Sequence, residues 1–270
     1  MKVRNKTIVV TGGGNGMGRE IVLNLLLKGA KVAAVDMREE ALNETAKLAG
    51  NNAKNLSLHV LNITDKQAIE KFPQDVIAIH GSVDGLINNA GIIQQFVKIN
   101  ELDYENIERV MHVNFYGTLY MIKAFLPYLL KQPEAQIVNI SSMGGFLPVP
   151  GQSVYGASKA AVKLLTEGLY SELLNTNVKV SIVFPGAIGT NISANSGVIV
   201  PKVSDADSKK SNIKVLPPNE AAEQIINGMI NNKLYIYVGS DSKFLNFLYR
   251  LSPGFATRFI AKKMQSLLSK

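Results

Sequence analysis

"TIVVTGGGNGMG", Thr7 to Gly18, runs a short β-branched stretch into a cluster of glycines and then into an apolar-periodic segment that reaches about Lys28. A strand, a glycine-rich turn and a helix in that order bring backbone N–H groups and a helix N-terminus up to a phosphate, because no Cβ stands in the way. Two common versions of such a turn are excluded. G-x-G-x-x-G fits no register, since counting from Gly12 and Gly14 reaches Met17. A P-loop fails because Arg19-Glu20 follows Gly18 where Lys-Ser/Thr should stand. What remains is T-G-x-x-x-G-x-G, carried by Thr11, Gly12, Gly16 and Gly18. It is either a dinucleotide cradle or a structural turn.

Outward from this turn the chain keeps alternating short β-branched runs with helical stretches. The runs are "KVAAVD" (31–36), "LSLHVL" (56–61), "DGLINNAG" (84–91), "QIVNISS" (136–142), "VKVSIVFPG" (178–186) and "LYIYVG". Helices are expected over "EEALNETAKLA", over about Tyr104 to Leu130, from Tyr155 to about Leu174, and after a cap at Asn219. The pattern predicts an α/β fold, a doubly wound parallel sheet of about seven strands with helices on both faces. The whole chain, 1–270, is expected to form one domain, with a polar loop at 187–216 and a basic amphipathic extension at 243–270.

Composition narrows the function. Hydrophobic residues make up 46% of the chain and charged residues 19%, which excludes a disordered polymer. There is no cysteine, so thiolate metal sites and disulfides are excluded. His59, His80 and His112 lack metal-ligand spacing, and no metal is expected. No signal peptide or membrane span is legible, and a cytoplasmic location is expected. The net charge of +8 does not predict nucleic-acid binding. Six basic residues and no acidic ones lie between Lys243 and Lys270, leaving the other 242 residues with 23 basic against 21 acidic.

Asp36 ends the second strand, 18 residues after Gly18, where a carboxylate accepts hydrogen bonds from both ribose hydroxyls of a dinucleotide. It would repel a 2′-phosphate, so NAD is favoured over NADP. Arg38, two residues on, could pair with that phosphate and keeps NADP open. Farther along, "YGASK" places Tyr155 and Lys159 at i and i+4 on one helix face, either as a chance pair or as a catalytic one. One positive charge about 4 Å from a phenol contributes roughly 4 kcal/mol at an effective dielectric near 20. That is enough to bring a tyrosine pKa from near 10 toward neutrality.

Seven motifs in order carry a resemblance: "TGGGNGMG", Asp36, "NNAG" (88–91), "VNFYG" with Asn114, "NISS" with Ser142, "YGASK", and "PGAIGT" (185–190). The chain resembles the short-chain dehydrogenase/reductase family, from the first strand to about Val238. The resemblance implies a Rossmann-like oxidoreductase that moves a hydride between a nicotinamide cofactor and an alcohol or ketone. By the same resemblance Tyr155 is the general acid/base, and Lys159 lowers its pKa and holds the nicotinamide ribose. Ser142 hydrogen-bonds the substrate oxygen, and Asn114 holds a water. The cofactor would lie on Thr11, Gly12, Asn15, Gly16, Met17, Gly18, Asp36, Asn89, Ala90 and Gly91, with Pro185, Gly186, Ile188 and Thr190 toward the nicotinamide. Many members have an acidic residue after the third strand that contacts the adenine amine; here Asn62 stands there, its amide oxygen able to accept.

Met143, Phe146, Leu147, Val149 and Ile192 are expected to face an apolar secondary alcohol or ketone. A homo-oligomer is expected. The alternative is a nucleotide-sensing module with little turnover. In the tail, Phe244, Leu248, Leu251, Phe255, Phe259, Met264 and Leu267 recur at helical spacing, broken at Pro253-Gly254, with the cations expected on the opposite faces. This stripe is expected to pack on the body, with a peripheral membrane contact as the competing reading.

Overall fold

In the computed structural model, which describes residues 1–198, 215–265 and 268, all seven predicted runs pair. They are β1 (Thr7–Thr11), β2 (Lys31–Asp36), β3 (Leu56–Val60), β4 (Gly85–Asn88), β5 (Ala135–Ile140), β6 (Val178–Pro185) and β7 (Tyr235–Val238). Every pairing is parallel, in the order β3-β2-β1-β4-β5-β6-β7. Successive side chains of a strand point to opposite faces. Ile8 and Val10 of β1 accordingly enter one core and Val9 the other.

The first core is closed by α1 (Gly16–Leu27), α2 (Glu39–Ala49) and α8 (Pro218–Ile230), through Ile21, Leu25, Leu42, Ile225 and Met229. The second is closed by α3 (Lys66–His80), α5 (Thr118–Leu129) and α6 (Ser153–Glu172), through Phe72, Val76, Met121, Phe125 and Leu169. Between them lie α4 (Tyr104–Met111) and a π-helical turn, His112–Gly117, that leads into α5. The expected long helix from Tyr104 to Leu130 is therefore interrupted at Asn114, as happens often at functional sites.

Three expectations need correction. The sequence reading has no helix between the third and fourth strands, yet α3 fills that gap. Pro73 in its middle disfavours helix locally. Burial of Phe72, Pro73 and Val76 overrides this, with Asp65 capping the start through Ala68 N at 3.1 Å and left-handed Gly81 closing the end. Second, Asn219 caps nothing, because α8 starts one residue earlier with Pro218, whose missing N–H suits the first helical position.

The third correction concerns the tail. It forms α9 (Ser240–Leu251) and α10 (Pro253–Lys263), broken where expected, but its apolar stripe is split. Leu248, Phe259 and Met264 turn inward with Leu245, Ala256 and Ile260, and pack on Leu147. Phe244, Leu251 and Phe255 point outward. Leu267 and Lys270 lie outside the described residues, as do 199–214 of the polar loop. The near end of that loop carries α7 (Ile192–Asn195), and Leu216 bridges back to Ile188.

Candidate active site

The sheet order reverses between β1 and β4, which both start from the centre and are continued in opposite directions. Ligands of open α/β sheets bind in the crevice outside the strand ends at such a point. The cleft there is walled by Gly12, Asn15, Gly16, Met17 and Gly18 of the glycine turn, by Asp36 and Asn62, by Asn89, Ala90 and Gly91, and by Thr190. Gly12 and Gly16 hold positive φ (68° and 52°), a region that penalises a Cβ. A Cβ on Gly18 would overlap the Gly12 carbonyl oxygen, so α1 could not start this close to β1 with any other residue there.

Thr11 lies behind the cleft. Its hydroxyl accepts from Asn89 N and Ala90 N, both at 3.0 Å, while Asn89 Nδ2 donates to Thr11 O at 3.0 Å. Together they clamp the ends of β1 and β4. Asn15 caps α1, its Oδ1 accepting from Gly16 N at 2.6 Å.

Asp36 folds back over the turn. Oδ2 accepts from Gly14 N at 3.1 Å, and Oδ1 accepts from Arg38 N at 3.1 Å and lies 3.6 Å from Arg38 Nε. Arg38 in turn donates to Asn195 Oδ1 at 3.0 Å, so it ties the acidic end of the cleft to α7. Asn62 departs from its expected use. Its Oδ1 accepts from Thr64 N at 3.0 Å and Thr64 Oγ1 at 2.9 Å, which occupies both lone pairs in a local turn. The NH2 end is the one left for a ligand.

Behind Gly91, Tyr155 and Lys159 share one face of α6, and Lys159 is buried. The loop after β5 approaches them through glycines. A Cβ on Gly144 would stand 3.5 Å from both the Ser142 hydroxyl and the Tyr155 ring, and one on Gly145 would meet the Lys159 carbonyl oxygen at 2.9 Å. Ser142 also caps the short turn that follows it, accepting from Gly144 N at 3.0 Å, while its hydroxyl hydrogen-bonds the Tyr155 side chain. Asn114 is fully buried, with Oδ1 accepting from Ile92 N at 2.9 Å and Nδ2 donating to Ile92 O and Ser158 Oγ. A Cβ on Gly91 would lie 3.1 Å from Lys159 Nζ and 3.2 Å from Asn114 Oδ1, which puts all three together. Pro185 and Gly186 form the turn leading toward Thr190, whereas Ile188 packs against the core beside Leu216.

The electrostatics differ from the sequence argument. Burial pushes the Tyr155 phenol above its ordinary value, and the Ser142 hydroxyl works the other way. Lys159 does not supply the lowering expected of it. Its Nζ donates to Ile140 O at 3.0 Å, and burial pushes its own pKa down to about 8. A charged Lys159 below that pH costs the fold about 3 kcal/mol, at about 1.36 kcal/mol per pKa unit. An unfolded lysine titrates near 10.4, so between about pH 8 and 10 the unfolded chain holds more protons and stability rises with pH. Lys159→Met should therefore be more stable than wild type at pH 7, by up to about 3 kcal/mol less about 1 kcal/mol for the lost hydrogen bond. Denaturant titrations without added nucleotide should show that gap closing toward pH 10.

Two positioning groups escaped the sequence reading. Gln94 is 1% exposed, and its Oε1 accepts from Val154 N and Tyr155 N at 2.8 and 2.9 Å, capping the helix that carries Tyr155. Asp241, at the start of α9, accepts from Ala187 N at 2.7 Å and fixes the turn after β6. Neither position carries a local signal, because both act across about 55 to 60 residues of chain. Leu147, expected to face substrate, is instead fully buried beneath the tail helices. Ile192 lines the dinucleotide cleft, along with Ile92, Val113 and Asn195.

These residues fit a dinucleotide: bare backbone at the start of α1, a carboxylate one strand away, and a lysine behind Gly91. The comparisons agree with that geometry. The family model described as short chain dehydrogenase matches residues 6–198. SadH, a candidate oxidoreductase of Mycobacterium tuberculosis, is 33% identical over 265 residues, covering 95% of this chain and 94% of its own. The 3-oxoacyl-[acyl-carrier-protein] reductase FabG of Thermotoga maritima is 35% identical over 192 residues, covering 70% and 77%. Two crystal structures share the fold at 24% identity. One is a short chain dehydrogenase/reductase from Burkholderia phymatum in complex with NAD (TM-score 0.81, covering 93% and 96%). The other is a short chain dehydrogenase from Burkholderia cenocepacia in complex with NADP (TM-score 0.80, covering 96% and 99%). Nothing in these likenesses favours the nucleotide-sensing alternative.

Proposed function

Because the chain belongs to the short-chain dehydrogenase family of oxidoreductases, we propose that it interconverts an apolar secondary alcohol and its ketone with NAD as the preferred cofactor. The reading is supported by Tyr155 lying beside Ser142 on the helix face that also bears Lys159, whose Nζ comes up to Gly91 in the wall of the cleft that Asp36 also lines. When bound, the nicotinamide cofactor supplies or accepts the hydride. The chain's own residues do the rest. Ser142 turns its O–H from Tyr155 to the substrate oxygen and stabilises negative charge developing there. Tyr155 Oη gives that oxygen a proton in reduction and takes it back in oxidation. Lys159 holds the nicotinamide ribose; for its charge to favour the deprotonated phenol, its Nζ must turn from Ile140 O to the phenolate. Asn114, fixed by Ile92 and Ser158, keeps Lys159 and Gly91 in register.

For the apolar substrate class Met143 and Phe146 give no support, because they pack with Leu147 under the tail helices; half-buried Val149 remains beside that loop. The class is supported instead by the relative from Thermotoga maritima, whose name makes it a reductase of a 3-oxo group. The test is turnover by the purified protein on a panel of apolar and polar ketones with NADH and with NADPH. Reduction of none of them under conditions in which NADH binds would overturn the reading.

The cofactor preference rests on Asp36. Its carboxylate would repel a 2′-phosphate, whereas both ribose hydroxyls of NAD are donors. Asp36→Ala should shift the NADH/NADPH affinity ratio toward NADPH by about tenfold or more, leaving Arg38 as a phosphate partner. Fluorescence titrations of both cofactors read this directly. Tighter binding of NADPH than NADH by the wild type would refute the assignment.

A further inference from the structure

The two tail helices turn a row of exposed aromatics, bordered by cations, to the outside. On α9, Phe244, Phe247 and Leu251 follow one another at i, i+3 and i+7, and they are 58%, 61% and 67% exposed. Lys243 and Arg250, seven residues apart and both exposed, border this strip along one side. On α10, Phe255 (51% exposed), Arg258 and Lys262 repeat the i, i+3, i+7 spacing, and the Phe255 and Phe259 rings stack at 6.2 Å with Lys263 Nζ 5.8 Å from the Phe259 ring. From Ser242 to Gln265 the chain has five basic residues and no acidic one. The cations thus lie beside the exposed aromatics and not opposite them, which is the reverse of the sequence expectation.

We infer that this face docks on an anionic lipid surface. Exposed rings enter the boundary between headgroups and acyl chains, and bordering cations stay with the anionic headgroups. A second copy of the chain is a poorer occupant. A two-fold contact would lay this face on itself and set five cations against five with no carboxylate between them. No helix among the described residues is long and apolar enough to cross a membrane, so the contact lies in the surface plane.

The face is presented rigidly. Ser242 Oγ donates to Phe184 O at 2.7 Å at the end of β6, and Leu245, Ala256 and Ile260 are buried against Leu147. Phe146 and Met143 belong to the same packing, so the docked face backs directly onto the loop that follows Ser142. An apolar ketone dissolved in a bilayer would then have a short path to the site. That last link rests on the proposed reaction; the docking itself does not.

The experiment is co-sedimentation of the full chain with vesicles of phosphatidylcholine alone and of phosphatidylcholine with phosphatidylglycerol. Binding is expected to the anionic vesicles only, weakening as salt is raised. Lys243→Gln with Arg250→Gln should lower partitioning about 10- to 30-fold. Phe244→Ser with Phe247→Ser should lower it at least about tenfold, with melting temperature unchanged in both variants because all four side chains are exposed. Three outcomes would overturn the inference: no pelleting of the wild type with anionic vesicles, equal pelleting with neutral ones, or Phe variants that bind as well as wild type. A fall in sedimentation-equilibrium mass in the Phe variants, with no vesicle binding by the wild type, would assign the face to a second copy instead. None of these readouts needs turnover, so they stand apart from the proposed reaction.

Discussion

Tyr155→Phe is expected to lower turnover by about 10²- to 10⁴-fold while NADH affinity stays within a few-fold. The variant keeps the ring and the backbone hydrogen bond from Tyr155 N to Gln94 Oε1, so α6 starts where it did. It loses only the hydroxyl that carries the proton. The substrate oxygen then faces the Ser142 hydroxyl alone, which stabilises charge there but sits in a turn with no lysine paired to it for proton exchange. Steady-state rates on the best ketone of the panel, set beside a fluorescence titration of NADH, separate the two effects. A rate within a few-fold of wild type would remove Tyr155 from proton transfer. A parallel collapse of NADH affinity would make its role structural.

Gly18→Ala is expected to damage fold and cofactor binding together. The new methyl would overlap the Gly12 carbonyl oxygen and the Asn89 side-chain amide, and neither is the free end of a flexible chain. One is backbone, and the other is held by Thr11 O. The start of α1 must back away from β1, at an overpacking cost of about 1–3 kcal/mol. The same movement takes the helix N-terminus off the phosphates, so NADH affinity should fall at least about tenfold. Gly168→Ala is the control. In α6 a Cβ there meets nothing within 4 Å, and replacing a helical glycine should stabilise by about 0.5–1 kcal/mol. Thermal unfolding of the two variants should therefore move in opposite directions. If Gly18→Ala melts and binds like wild type, the close approach at the turn is not what holds the cofactor cleft.

The sequence by itself determined the features that depend on near neighbours in the chain. β-branched runs separated by helical stretches define a parallel sheet whatever the loops do, and all seven strands formed where they were read. The glycine turn was legible because a strand, three bare backbone positions and a helix start within twelve residues. Tyr155 and Lys159 were legible because i and i+4 share a helix face.

The tertiary structure alone decided which neighbour each side chain meets, and that changes what the side chain does. Leu147 is apolar and close to Ser142, yet α9 and α10 bury it and remove it from the substrate wall. Asn62 could offer its oxygen to adenine until Thr64 takes both lone pairs. Lys159 looks like an ordinary lysine until burial sets its pKa at about 8, so that the charge it keeps at pH 7 is held at a cost to the fold. Gln94 and Asp241 carry no signal of their own, because the groups they hold lie more than fifty residues away in the chain. Helical spacing in the tail predicted one apolar stripe, but only packing against Leu147 and Phe146 divides it into a buried face and an exposed one. Periodicity fixes which residues share a face. Which face turns inward depends on desolvation against a partner that the local sequence does not contain.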